Sequence, residues 1–133
     1  MNILVAEDDK VISLLICSLL RKAGHQAIPA FDQMQALMFA LKSPMPNAII
    51  LDLNMPGGSG IETLRRLKST RSSCIPVIVL TGSVEPGVRD LVESLGAEVF
   101  LGKPLDRESL LREVGRIAGD SAPHMVGEAA GAA

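Results

Sequence analysis

The sequence predicts an α/β domain built on a five-stranded parallel sheet with helices on both faces. Apolar runs of strand length alternate, five times along the chain, with segments whose apolar residues recur at helical spacing. The strand-length runs are continuously apolar, which is typical of strands that are covered on both faces of a sheet. Because crossovers between parallel strands are right-handed, few topologies fit this pattern.

The first two strand–helix units are bounded by residues with a clear local role. Residues 3–6 form an apolar run, and the helix that follows is expected to end at Gly24. The second strand is weaker, and its Pro29 indicates a sheet edge, where no backbone donor is needed. Asp32 can cap the second helix, which is expected to end near Lys42.

The last three units repeat the pattern. Residues 48–51 form the clearest buried strand, and a glycine-rich loop at residues 57–60 separates it from the third helix. The fourth strand is predicted at residues 76–80, and its helix is expected to end at Gly96. Residues 99–101 form the fifth strand, and the last helix follows with apolar residues at helical spacing.

The chain is long enough for one domain. Of its 133 residues, residues 1–118 are expected to form that domain. Residues 119–133, which are rich in Ala and Gly, are expected to be a flexible tail and not an output domain.

Composition argues against several classes of partner and location. A net charge of −2 gives no general reason to bind nucleic acid or a membrane. No apolar run approaches the roughly 18 residues that a membrane span needs, and the first residues lack the features of a signal peptide. We therefore expect a cytoplasmic protein. Cys17 and Cys74 lie in apolar runs and are expected to be buried free thiols.

Polar side chains follow the ends of four predicted strands. They are Glu7, Asp8 and Asp9 after the first strand, Asp52 after the third, Thr81 after the fourth and Lys103 after the fifth. Because the carboxyl ends of parallel strands meet along one edge of the sheet, these side chains should converge. Two carboxylates 4 Å apart repel by roughly 4 kcal/mol at an effective dielectric constant of 20. A hard divalent cation would offset this repulsion, and Mg²⁺ is the usual one where phosphate is handled.

The same residues could support a phosphoryl group on Asp52. A carboxylate can act as the nucleophile in phosphoryl transfer. A metal ion, the ammonium of Lys103 and the hydroxyl of Thr81 would stabilise the oxygens of that group.

Four separated motifs resemble those of bacterial response-regulator receiver domains, in particular the chemotaxis regulators. They are ILVAEDD at residues 3–9, ILDLNMPGGSG at residues 50–60, Thr81, and Lys103-Pro104. The resemblance covers about residues 2–118. It implies the flavodoxin-like (βα)5 receiver fold with strand order 2-1-3-4-5, in a phosphoprotein of a two-component system.

The resemblance also implies a role for each acidic residue. Asp52 would accept a phosphoryl group from a sensor histidine kinase or a phosphotransfer protein. Glu7, Asp8 and Asp52 would bind Mg²⁺, together with the backbone carbonyl of Asn54. Asp9, just after the acidic pair, is instead expected to cap a helix or to add an outer charge.

The remaining motif residues would contact the phosphoryl group or change conformation in response to it. Lys103 would contact it, and Thr81 and Phe100 would form a switching pair that changes a surface around the fourth helix, fifth strand and fifth helix. Asn54 and Ser83 would flank the pocket and tune water access. The changed surface would bind a downstream protein that the sequence does not identify, or a second copy of the chain. The protein would then be a switch and not an enzyme, apart from assisting its own phosphotransfer and dephosphorylation.

Taken singly, these residues have ordinary explanations. Asp8 could cap a helix, Asp52 could be a turn residue and Lys103 a solvated lysine, and only their joint placement favours the phosphoacceptor. Three other functions stay open. A haloacid-dehalogenase-like phosphohydrolase would need a second Asp at the position of Asn54. A receiver that only binds partners would not need the acidic residues. A flavin site would need more aromatic residues than the three Phe of a chain without Trp or Tyr.

Overall fold

The computed structural model describes residues 1–69, 74–82 and 86–121, without the side chains of residues 120 and 121. Within this part, five strands alternate with five helices. They are β1 Asn2–Ala6, α1 Lys10–Lys22, β2 Gln26–Ala30, α2 Gln33–Leu41, β3 Ala48–Asp52, α3 Gly60–Ser69, β4 Val77–Thr81, α4 Val88–Ser94, β5 Val99–Gly102 and α5 Arg107–Ser121. All pairs of neighbouring strands are parallel, in the order β2-β1-β3-β4-β5, so the predicted sheet is confirmed.

Local hydrogen bonds explain where the first two helices begin and end. The carboxylate of Asp9 accepts from the backbone N–H groups of Val11, at 2.9 Å, and Ile12, at 3.1 Å, so Asp9 is the N-cap of α1. Gly24 follows the C-cap of this helix with φ +95°, a left-handed conformation that favours glycine. Asp32 caps α2 by accepting from the backbone of Gln35 at 2.7 Å. These predicted caps are confirmed.

The sheet separates the core into two parts, because successive side chains of a strand point to opposite faces. Leu51 of β3 packs on the side covered by α2, α3 and α4, whereas Ile50 packs on the side covered by α1 and α5. Every residue of β3 and β4 is buried. β2 lies at one edge of the sheet, as Pro29 predicted.

Two expectations differ from the structure or extend beyond it. Cys74 is exposed, so the prediction of a buried thiol is wrong for this residue, whereas Cys17 is buried. The reason is that β4 begins only at Val77, which leaves Cys74 in the preceding turn. The last helix runs to Ser121, and residues 122–133 of the predicted tail lie outside the described residues. No helix in the described ranges is both long and apolar enough to cross a membrane.

Gly60 provides a test of how α3 packs against the loop after β3. A Cβ atom at this position would overlap the backbone of Leu53. We expect Gly60→Ala to lower the free energy of unfolding by about 1–3 kcal/mol, the usual effect of overpacking a rigid site. Gly115→Ala is the matched control, because nothing lies within 4 Å of a Cβ there; it should raise stability by up to about 1 kcal/mol. Urea unfolding followed by circular dichroism measures both, and equal effects would show that α3 can move away from Leu53.

Candidate functional site

The predicted site residues converge where four strands end. Asp52 is the last residue of β3 and Thr81 the last of β4, while Glu7 follows β1 and Lys103 follows β5. Glu7, Asp52 and Thr81 are at most 1% exposed. Buried polar side chains at one edge of a sheet need partners, and each of these three has partners from another part of the chain.

One ammonium group serves two buried carboxylates. Nζ of Lys103 lies 2.8 Å from Oε1 of Glu7 and donates a hydrogen bond of 3.0 Å to Oδ2 of Asp52. The backbone N–H of Lys103 donates to the carbonyl of Thr81 at 2.9 Å, and the Lys103–Pro104 peptide is cis. Lys103 therefore contacts β4 through its main chain and β3 through its side chain.

Asn54 links the other atoms of the site. Its backbone N–H donates to Oδ1 of Asp52 at 2.9 Å, so both oxygens of that carboxylate are engaged. Its side-chain amide donates to Oγ1 of Thr81 at 3.2 Å. Sequence reasoning expected Asn54 to offer a backbone carbonyl and to flank the pocket, but it missed the contact of the Asn54 amide with Thr81.

Three carboxylates lie close enough to share a cation. One oxygen from each of Glu7, Asp8 and Asp52 falls within 4.8 Å of the others. Oε1 of Glu7 is buried and forms an ion pair with Nζ of Lys103 at 2.8 Å. A set of three carboxylates beside a single ammonium group keeps negative charge and free lone pairs, which fits a hard cation such as Mg²⁺. Asp9 stays outside this set and caps α1, as expected.

Burial and neighbouring charges shift the pKa values of two of these groups, Glu7 and Lys103. Burial raises the pKa of Glu7, and the charge of Asp52 acts in the same direction, while Lys103 opposes them. Burial alone would lower the pKa of Lys103, but its contacts with Glu7 and Asp52 outweigh this and raise it. The site therefore holds a protonated lysine, and a proton on Glu7 is easier to retain than on an exposed glutamate.

Thr81 and Phe100 lie on neighbouring strands and on the same face of the sheet. Phe100 pairs with Val79, and the next residue of β4 on that face is Thr81, opposite Gly102. The half-buried ring of Phe100 packs against the core part under α4, and the guanidinium of Arg89 lies 5.4 Å from its centroid. Ser83, the other residue expected near the pocket, lies outside the described residues.

Gln33 is a site neighbour that sequence reasoning missed. It is the first residue of α2 and only 1% exposed. Its side-chain amide faces the carbonyl oxygens of Asp52 at 3.4 Å and Leu53 at 3.5 Å. Nothing in the helical pattern of α2 marks Gln33, because its inward position depends on how the loop after β3 passes over it.

Comparison with known proteins gives one consistent result. A family model described as the response regulator receiver domain matches residues 3–115. The phosphate regulon transcriptional regulatory protein PhoB of Escherichia coli is 35% identical over 130 residues, which cover 96% of this chain and 56% of that protein. This chain thus spans about half the length of that relative.

Two solved structures have the same architecture. The receiver domain of the Francisella response regulator 1452 is 27% identical with a TM-score of 0.83, covering 91% of this chain and 98% of that one. The receiver domain of the sensor histidine kinase PA1611 from Pseudomonas aeruginosa is 28% identical with a TM-score of 0.79, covering 89% of this chain and 97% of that one. A magnesium ion is coordinated in the active-site cleft of the latter structure.

Replacing Glu7 tests the electrostatics of the site. Because the pKa of Glu7 is raised above its ordinary value of 4.5, the native state binds more protons here than the unfolded chain, and this contribution to stability is lost as the pH rises through the raised pKa. We expect Glu7→Gln to increase the free energy of unfolding near pH 7 in metal-free buffer, with a gain that shrinks towards pH 4. Urea unfolding at both pH values measures this.

Glu62→Gln is the control for that experiment, since Glu62 is an exposed carboxylate on α3. It should change stability little at either pH. A gain from Glu7→Gln that is equally large at pH 4 and pH 7 would contradict the assignment of a buried, charge-destabilised carboxylate.

Proposed function

The chain belongs to the response regulator receiver domain family, and from this we propose that a histidine kinase or a phosphotransfer protein phosphorylates it on Asp52. Membership makes the chain a receiver domain of a two-component system, which signals through phosphorylation as a phosphoacceptor switch. The choice of Asp52 rests on one observation above all. It is the carboxylate at the end of the central strand β3, 1% exposed, and it contacts both a lysine and the acidic cluster.

We infer that Mg²⁺ binds to the carboxylates of Glu7, Asp8 and Asp52 and to the backbone carbonyl of Asn54. The ion would neutralise negative charge on the incoming phosphoryl group. A carboxylate oxygen of Asp52 then attacks phosphorus and an acyl phosphate bond forms. The bond between phosphorus and the histidine nitrogen of the donor protein breaks. Lys103 needs little movement to reach the new group, because its ammonium already contacts Asp52.

The amide of Asn54 supports a switch and not an esterase. A phosphohydrolase would need an acid two residues after the nucleophile to protonate a leaving group, and an amide cannot supply that proton. Asn54 instead holds the hydroxyl of Thr81 at 3.2 Å in the described state. We propose that the phosphoryl oxygens draw this hydroxyl away from Asn54.

Movement of Thr81 would leave space on the α4 side of the sheet. We propose that the ring of Phe100 turns inward to fill it, and that this changes the surface around α4, β5 and α5. Leu91 of α4 is 40% exposed and adds an apolar side chain to that surface. A downstream protein or a second copy of the chain would bind there, so output would pass through a protein contact.

Phosphorylation of Asp52 can be tested directly. The protein is incubated with Mg²⁺ and a small phosphodonor such as acetyl phosphate, and the intact mass is recorded. We expect one added phosphoryl group in the wild type, none in Asp52→Asn, and none when a chelator removes the metal. Asp90→Asn, at an exposed carboxylate of α4, is the control and should be phosphorylated like the wild type. Equal phosphorylation of Asp52→Asn and the wild type would refute the assignment.

Arg89 tests the proposed movement of Phe100. An exposed cation over an aromatic ring contributes about 0.5–1 kcal/mol, so Arg89→Ala should shift the ratio of inward to outward Phe100 rings about two- to fivefold. Fluorine NMR of protein labelled with fluorophenylalanine measures this ratio. The chain has three Phe, so only three signals need to be assigned. Arg65→Ala, at an exposed arginine of α3, should leave the Phe100 signal unchanged. If Arg89→Ala also leaves it unchanged, Arg89 does not hold the ring.

A further inference from the structure

Gln33 is buried beside the phosphoacceptor loop but takes no part in the chemistry proposed above. It lies at the start of α2, where it contacts the segment that follows β3 at three points. Its side-chain N–H groups face the carbonyl oxygens of Asp52 and Leu53, at 3.4 and 3.5 Å. Its backbone N–H donates to the carbonyl of Pro56 at 3.0 Å.

The two oxygens that the amide faces belong to the peptides on either side of Leu53. The first of these peptides follows Asp52, and the second precedes Asn54, whose N–H orients the carboxylate of Asp52. On the side away from Gln33, the backbone of Leu53 is so close to Gly60 that a Cβ atom on residue 60 would not fit. Leu53 is therefore held between the start of α3 and the side chain of Gln33.

The other half of the Gln33 amide argues against a purely structural role. Its Oε1 atom is buried without a hydrogen-bond partner among the described residues. A buried acceptor without a partner destabilises the native state, and an apolar side chain of similar length would remove that penalty. The hydrogen bonds of the Gln33 side chain therefore come from its N–H groups, and those groups point to the acceptor loop.

We propose that Gln33 is a positioning residue for the metal and phosphoacceptor site. Its N–H groups fix the peptides on both sides of Leu53, so that the carboxylate of Asp52 and the carbonyl of Asn54 stay aimed at the same cation. Groups that orient metal ligands from behind commonly change metal affinity by about 10–100-fold when they are removed. This inference rests on the proposed function, because it names a further residue of the same site.

The test compares three variants of the full chain with the wild type. Gln33→Met keeps the length of the side chain and the backbone contact with Pro56 but has no N–H donor. Gln33→Glu keeps the shape and places an oxygen against the two carbonyl oxygens. Ala40→Gly is the control, because Ala40 is buried in the same helix, and its replacement destabilises α2 without removing the Gln33 amide. Circular dichroism establishes that each variant is folded.

Two readouts do not require phosphorylation. Isothermal titration with Mg²⁺ should give a dissociation constant about tenfold higher for both Gln33 variants and unchanged for Ala40→Gly. Hydrogen exchange followed by NMR should show faster exchange of the Asn54 N–H in the Gln33 variants than in Ala40→Gly. The proposal is overturned if Gln33→Met matches the wild type in both readouts, or if Ala40→Gly shows the same losses.

The outcomes also separate this inference from the proposed function. If Asp52 of the wild type accepts no phosphoryl group, but Gln33→Met still weakens Mg²⁺ binding or speeds exchange at Asn54, the function fails and the positioning role stands. If the wild type is phosphorylated and Gln33→Met behaves like the wild type in titration and exchange, the positioning role fails and the function stands.

Discussion

The contact of Lys103 with two buried carboxylates is the interaction on which the rest of the site depends. Burying the charges of Glu7 and Asp52 side by side is unfavourable twice over, through desolvation and through mutual repulsion. One ammonium at 2.8 Å from the first and 3.0 Å from the second opposes both effects, and for Glu7 it offsets them in part. It can do so only because β5 is hydrogen-bonded to β4, and β4 to β3, which brings residue 103 to residue 52. The order of the strands is thus needed to bring these charges together, and not only to form the core.

The same contact makes the site ready for a change of charge. In the described state, Lys103 and the N–H of Asn54 hold the oxygens of Asp52, and Asn54 holds Thr81. The ammonium of Lys103, the N–H of Asn54 and the hydroxyl of Thr81 thus already surround the end of β3. Under the proposed function, these groups would need little reorganisation when Asp52 gains a phosphoryl group, which is what electrostatic preorganisation means.

Much of this arrangement could be predicted from the sequence, and the exceptions have a common cause. The caps at Asp9 and Asp32, the edge strand with Pro29 and the convergence of residues at strand ends follow from local rules and from parallel pairing. The amide contact of Asn54 and the inward position of Gln33 do not, because both depend on the path of the loop between β3 and α3. Cys74 was misjudged because an apolar neighbourhood in sequence does not show that a side chain in the turn before a strand is exposed. Sequence patterns therefore predicted which side chains converge at the strand ends, but not which neighbouring side chains contact them.

The sheet that divides the core has a consequence for how the protein tolerates change. In the part of the chain that the structure describes, the buried side chains under α2, α3 and α4 form one cluster and those under α1 and α5 form another, with the strands between them. Substitutions on opposite sides share few partners, so their effects on the free energy of unfolding should add. Side chains on one side of the sheet could then be replaced, in evolution or by design, without compensating changes on the other side. The strands that carry Asp52 and Thr81 belong to both sides and have no such freedom.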